Sequence, residues 1–171
     1  EESYRRFLRL LDRHLQSHRF ILGEQPASSD FASHGQLTCL ALFDPTPSAI
    51  ALEESPRVCA WVEIIEDLSG LNDPADTNWI SRDAIPETLH ALLAEVGRVH
   101  APTLLANADA LESGAERMEA VVDGLPWVQK PFPYQGKCLG WLRESHARLS
   151  AGDRGVVDDI LAGTGCESLF A

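Results

Sequence analysis

The chain has 171 residues, 44% of them apolar, enough to bury a core without a disulfide or metal staple. Lys and Arg number 14 against 26 Asp and Glu, and the net charge of −12 excludes an average surface that attracts nucleic acid or anionic membrane. Apolar runs are short and broken by charges, so none approaches the roughly 18 to 20 residues of a membrane span.

The first residues, Glu1-Glu2-Ser3, carry neither Met nor an apolar leader, and they read as the edge of a fragment of a longer protein. Tyr4, Phe7, Leu8, Leu11 and Leu15 fall at three- and four-residue steps and predict one face of a helix, with Arg5, Arg6, Arg9 and Arg13 largely off it. The segment continues to Phe20-Ile21-Leu22, where Gly23 supplies a left-handed stop. A second helix is expected from Ser28 to Phe43, ended by Asp44-Pro45-Thr46-Pro47. Gly35 inside it costs roughly 1 kcal/mol relative to Ala, which close approach of a neighbouring helix would offset.

Ser55-Pro56 is a helix start, a hydroxyl cap followed by Pro in the first turn, and Val58, Trp61, Val62, Ile65 and Leu68 then share a face. Between Gly70 and Ser81, Asn72-Asp73-Pro74 and Asp76-Thr77-Asn78 read as a loop pinned by Trp79 and Ile80. Helical spacing resumes with Ile85, Leu89, Leu92, Leu93, Val96 and Val99, kinks or breaks at Pro102, and continues from Thr103 to Leu111 before Gly114. The stretch Gly124 to Pro133 alternates prolines with large apolar residues and predicts an ordered extended loop. Two helices follow. Tyr134, Cys138, Trp141, Leu142, Ser145 and Leu149 face one way in the first, and Val156, Val157, Ile160 and Leu161 in the second, which Gly163 and Gly165 end.

No run alternates as a set of strands and no repeat appears, so the expectation is all-α. It is a single multi-helix domain over 1–171, with core helices in 1–69 and a helical tail in 70–171 that holds a Pro-rich loop near 124–134.

The segment Phe20-Ile21-Leu22-Gly23-Glu24-Gln25-Pro26-Ala27-Ser28-Ser29-Asp30-Phe31 resembles the middle of the helical C-terminal domain of glutathione S-transferases. In that family a Ser/Thr-x-x-Asp box opens a central helix, its hydroxyl and carboxylate satisfying the first free amides reciprocally. Here the box reads Ala27-Ser28-Ser29-Asp30: Asp30 matches and the hydroxyl position is Ala27. Either Ser28 caps a slightly shifted start, or the missing bond weakens the helix by about 1 kcal/mol. Asp44-Pro45 and Ser55 to Trp61 extend the resemblance over roughly residues 4 to 68, and Leu104 to Leu111 with Tyr134 to Arg143 resemble the tail of bacterial members with an enlarged helical domain.

The resemblance implies that this helical part lines the wall receiving a hydrophobic small-molecule co-substrate and contributes to a homodimer interface. Trp127, Tyr134 and Lys137 would border that pocket. Catalysis would belong to an N-terminal thioredoxin-like domain that this chain lacks, with glutathione bound there and no cofactor held here. Glu2-Ser3, Glu54-Ser55 and Glu167-Ser168 do not follow strands and cannot serve as the family's glutathione-binding Glu/Gln-Ser step. The alternative is a non-catalytic binding or assembly module on the same fold, because a fold never fixes a function.

Other candidates have plain readings. His14 and His18, four apart, suit a divalent metal if a carboxylate joins them, but without the HExxH arrangement they read as solvated or edge-packed. Asp158 and Asp159 point roughly 100° apart on a helix and read as a solvated face. Gly136 and Gly140 form a small-residue stripe that suits intramolecular packing. Cys39, Cys59, Cys138 and Cys166 lack CxxC spacing and read as reduced, mostly buried thiols of a cytoplasmic protein, with Cys166 the most exposed.

Overall fold

The computed structural model describes residues 1–71 and 79–171, so the expected Asn72-to-Asn78 part of the loop lies outside the described residues. The chain divides into two compact units, Glu1–Leu92 and Leu93–Ala171. In chain order the helices are α1 (Glu2–Leu15), α2 (Ser28–Leu37), a π-helical segment (Thr38–Phe43), α3 (Pro45–Glu54), α4 (Pro56–Glu66), α5 (Glu87–Ser113), α6 (Pro133–Ala147), α7 (Ala151–Leu161) and a final 3-10 turn (Cys166–Phe170). The fold is therefore mostly helical. The exception is an antiparallel pair, β1 (Met118–Val122) and β2 (Leu125–Gln129), set between α5 and α6 in sequence. No helix among the described residues is long and apolar enough to cross a membrane.

In the first unit the α1 stripe behaves as its spacing requires: Leu8 and Leu11 are buried, with Tyr4, Phe7 and Leu15 packed beside them. They meet Phe20, Leu37, Ala51, Val58, Trp61, Val62, Ile65 and Leu92 in one core. Arg5 and Arg9, off that stripe, both reach Glu54 at the end of α3, at 2.6 and 2.7 Å. These two guanidiniums pull the Glu54 carboxyl down to about 2. Ser55 caps α4 as its sequence predicts, Oγ accepting from Val58 N–H at 3.2 Å while donating to Asp12 at 2.8 Å.

Four expectations for this unit are corrected. The first helix ends at Leu15, well before Gly23; Gly23, at φ 130°, instead closes a tight turn in which Phe20 and Gly23 exchange both backbone hydrogen bonds. The second helix does reach Phe43, but its last stretch widens into π-helix, Asp44 N–H donating five residues back to Cys39 at 2.9 Å. Asp44-Pro45, read only as a terminator, also starts α3: the Asp44 carboxylate accepts from Thr46 N–H at 3.1 Å and Pro45 occupies the first turn. A side chain at Gly35 would meet open space, so a close helix does not account for that glycine.

In the second unit α5 runs through Pro102 without the break that is one of the two expectations there; the ring removes the amide that would donate to Arg98 O, and Thr103 Oγ1 donates to His100 O at 2.7 Å. Gly114, at φ 68°, ends α5, and Gly163 and Gly165, at φ 76° and 86°, turn the chain after α7, as expected. The core here is smaller, built on Ala101, Leu104, Leu139 and Leu169.

The predicted loop from Gly124 to Pro133 is half strand. Asp123 and Gly124, at φ 55° and 77°, form a two-residue hairpin turn whose backbone twist matches that of the flanking strands. Pro126 is tolerated because neither strand of a two-stranded ribbon has a further neighbour to pair with.

Candidate functional site

The Phe20–Phe31 segment is organised by one carboxylate. Asp30, 0% exposed, accepts from Ile21 N–H at 2.8 Å through one oxygen and from Ala27 N–H at 2.9 Å through the other. One side chain thus fastens the turn after α1 to the start of α2 and satisfies two partly buried amides. The hydroxyl half of the box is absent. Ala27 is the N-cap, it offers only its carbonyl to Asp30 N–H at 3.0 Å, and Ser28 is the first helical residue, not a shifted cap.

His14 completes this arrangement. It is fully buried, with Nδ1 2.8 Å from Thr88 Oγ1 and Nε2 3.0 Å from Ile21 O, so both ring nitrogens are taken by protein partners. Burial and the stacked ring of His18, 4.7 Å away, hold His14 below the ordinary imidazole value. It is a core tie, where the sequence reading has it solvated or edge-packed. Among the described residues no three His, Cys, Asp or Glu side chains gather as a metal site.

The expected co-substrate residues all lie in the second unit. Lys137 lines a groove of about 520 Å³ with Ala108, Leu111 and Glu112 of α5 and Pro133 and Gly136 of α6. Two features set its width. Asn107, fully buried, donates to Phe132 O at 3.1 Å and accepts from Phe132 N–H at 2.7 Å, which clamps the entry to α6 against α5. A Cβ on Gly136 would lie 2.7 Å from Leu111 Cδ1, so a larger residue there requires the end of that leucine side chain to shift; Gly140, its partner in the stripe, faces open space.

Tyr134 sits at the start of the same helix, half exposed, its ring edge-on to Trp141 at 6.0 Å and 6.3 Å from Phe132. Trp127 lies on β2, half exposed, with its indole N–H donating to Gln129 at 3.0 Å. The geometry brings Lys137 to the groove with Tyr134 on the same helix turn, and leaves Trp127 on the hairpin. The α6 face expected to be buried is corrected: Tyr134, Trp141 and Leu142 are exposed and Leu139 is the buried residue. Asn107, which positions the groove, has no signature in the sequence beyond being an amide within an apolar helix face.

The thiols offer poor nucleophiles. Burial pushes Cys59 and Cys166 above the ordinary thiol value, keeping both protonated. Cys166, expected to be the most exposed, is 4% exposed, because Gly97 lets the 164–166 backbone lie directly on α5 and the thiol donates to Leu93 O at 3.2 Å. Cys39 is the exposed thiol.

The residues do not fit glutathione through a Glu-Ser step. Glu2-Ser3 lies in α1, Glu54 and Ser55 are spent on arginines and a helix cap, and Glu167-Ser168 lies in the terminal 3-10 turn. Comparison of the chain with protein-family models, with curated proteins and with solved structures returns no match.

Proposed function

We propose that this chain acts as a helical binding module of the kind found C-terminal to the thioredoxin-like domain of glutathione S-transferases, supplying a wall for an apolar small molecule and no reacting group. The observation that carries the reading is Asp30: a buried carboxylate holding Ile21 and Ala27 amides is what the box in that family accomplishes, reached here without the hydroxyl partner. The α5–α6 groove with Lys137 at its edge supplies the pocket wall, and its lining of Ala, Leu and Pro with one ammonium and one carboxylate suits an apolar ligand bearing one polar group.

The same reading places the partner surface on the first unit. Phe43, at the end of the π-helical segment, is 88% exposed, and Phe31 and Leu52 are more than half exposed. An absent domain or a second copy of this chain would cover them. The exposed hairpin side chains Val121, Leu125 and Val128 favour the assembly alternative on the same fold.

Two measurements test the proposal. The 171-residue chain mixed with glutathione and an aromatic electrophile shows no rate above the uncatalysed background; turnover by this chain alone would sink the reading. A neutral aromatic probe such as 2-naphthol binds saturably, and Lys137→Glu together with Leu111→Glu abolishes the binding.

A further inference from the structure

We propose a second, separate ligand site in residues 93–171: a pocket for a small molecule that carries one oxyanion, carboxylate or phosphate, on a planar apolar body. The pocket has a volume of about 400 Å³ and is lined by Arg143, His146 and Ala147 of α6, Arg154 of α7, and Phe170 and Ala171. It shares no residue with the groove around Lys137 and does not depend on the reading given to that groove.

The two arginines are anchored but not neutralised. Arg143 donates through Nε to Leu169 O at 2.7 Å, and Arg154 donates through Nη2 to Ala147 O at 2.7 Å and to Leu149 O at 3.2 Å. Carbonyl oxygens fix the direction of each guanidinium without cancelling its charge, and among the described residues neither arginine pairs with a carboxylate. Arg154 Nε is a buried donor with no partner. In a chain of net charge −12, two unpaired guanidiniums converging on one cavity run against the composition, and a planar fork of donors matches the geometry of an oxyanion.

Three acidic side chains of this region have partners of their own. Asp158 bonds His146 Nε2 at 2.7 Å, Asp153 accepts from Ser150 Oγ at 2.7 Å, and Glu144 pairs with Arg148 at 3.4 Å. Phe170 supplies the apolar wall. Its ring stacks face to face on His146 at 4.3 Å with the planes 29° apart, which fixes the phenyl against α6.

The test is a titration of the full chain followed by amide chemical shifts, with benzoate, inorganic phosphate and benzyl alcohol as probes. Benzoate is expected to saturate with shifts at Ala147, Phe170 and the His146 ring, phosphate to bind the same residues more weakly, and benzyl alcohol not to bind. Arg143→Gln is expected to weaken benzoate about tenfold, the loss of one charge-assisted pair. Because Arg143 also holds Leu169, Ala147→Phe provides the second variant: it fills the pocket from an exposed helix position, leaves both arginines in place, and is expected to abolish the shifts. Benzyl alcohol binding as tightly as benzoate, phosphate binding as tightly as benzoate, shifts scattered outside the lining, or benzoate binding unchanged in Ala147→Phe would each overturn the assignment.

Discussion

Residues 1–92 and residues 93–171 fasten their helices by different means. The first unit ties them with buried polar side chains reaching loop backbone: Asp30 to Ile21 and Ala27, His14 to Ile21 O, Trp61 Nε1 to Arg19 O at 3.1 Å. Its core joins residues from α1, α2, α4 and the start of α5. The second unit adds close approach at glycine, Gly97 against the Thr164 to Cys166 backbone and Gly136 against the Leu111 side chain, beside polar ties from Asn107 to Phe132 and from Arg143 to Leu169 O. Its small core leaves Trp127, Tyr134 and Trp141 facing solvent and both cavities open. The difference separates scaffold from surface, since apolar area kept out of the core is what remains to receive a ligand.

That contrast can be broken by mutation, beginning with the largest effect. Asp30→Ala is expected to cost about 3 kcal/mol in chemical denaturation, because two partly buried amides lose a charged acceptor at once and the buried side chain leaves a gap. Ser28→Ala, at a position that caps nothing, should stay within about 0.5 kcal/mol; equal losses in the two variants would refute the role given to Asp30. Asn107→Ala should follow at about 2 to 3 kcal/mol, since it strands both backbone groups of Phe132, and it should weaken 2-naphthol binding, which Asp30→Ala should leave intact at temperatures where that variant is folded.

Gly97→Ala is expected to cost about 2 kcal/mol. Its new methyl meets Thr164 O, with Gly165 C at 2.8 Å and Cys166 N at 2.9 Å, all backbone atoms that cannot swing aside. A thiol-reactive reagent should then label Cys166, which the native packing shields; protection equal to the unmodified protein would show that the close approach is not needed.

The smallest effect is a pH dependence to which His14 in the first unit contributes, and His100 in the second, which burial also holds below the ordinary imidazole value, adds in the same window. His14 is held below its unfolded value near 6.5, so both states are neutral above that pH and the unfolded chain takes up the proton first as pH falls. Stability should therefore drop from about pH 6.5 downward, by at most about 1.4 kcal/mol per pH unit. Glu54, at about 2, adds a second loss only as pH falls through the window from about 4.5 to 2. Denaturation midpoints flat between pH 7 and 5, or a slope undiminished in His14→Gln, would remove His14 from this account.

The helices were largely legible because their signals are local. The α1 stripe, the Ser55-Pro56 cap and the stopping glycines depend on residues within a turn or two of one another. Asp123-Gly124 is an equally local hairpin signal, two residues suited to positive φ between apolar runs, and the reading of Gly124 to Pro133 as a loop passes over it. What spacing could not supply was long-range pairing. The exposure of Tyr134 and Trp141, the burial of Cys166 and the clamp from Asn107 to Phe132 each depend on an element many residues away. The groove beside Lys137 requires α5 and α6 to pack together, and the convergence of Arg143 and Arg154 requires α6 and α7 to fold back on the terminal turn.

The most direct test of the division between scaffold and surface is an amide chemical-shift map of the 171-residue chain titrated with 2-naphthol. The account predicts saturable shifts at Leu111, Gly136 and Lys137, with the amides of Ile21 and Ala27 unmoved. Shifts centred on the Phe20–Phe31 turn, or no saturable shift at the α5–α6 groove, would contradict it.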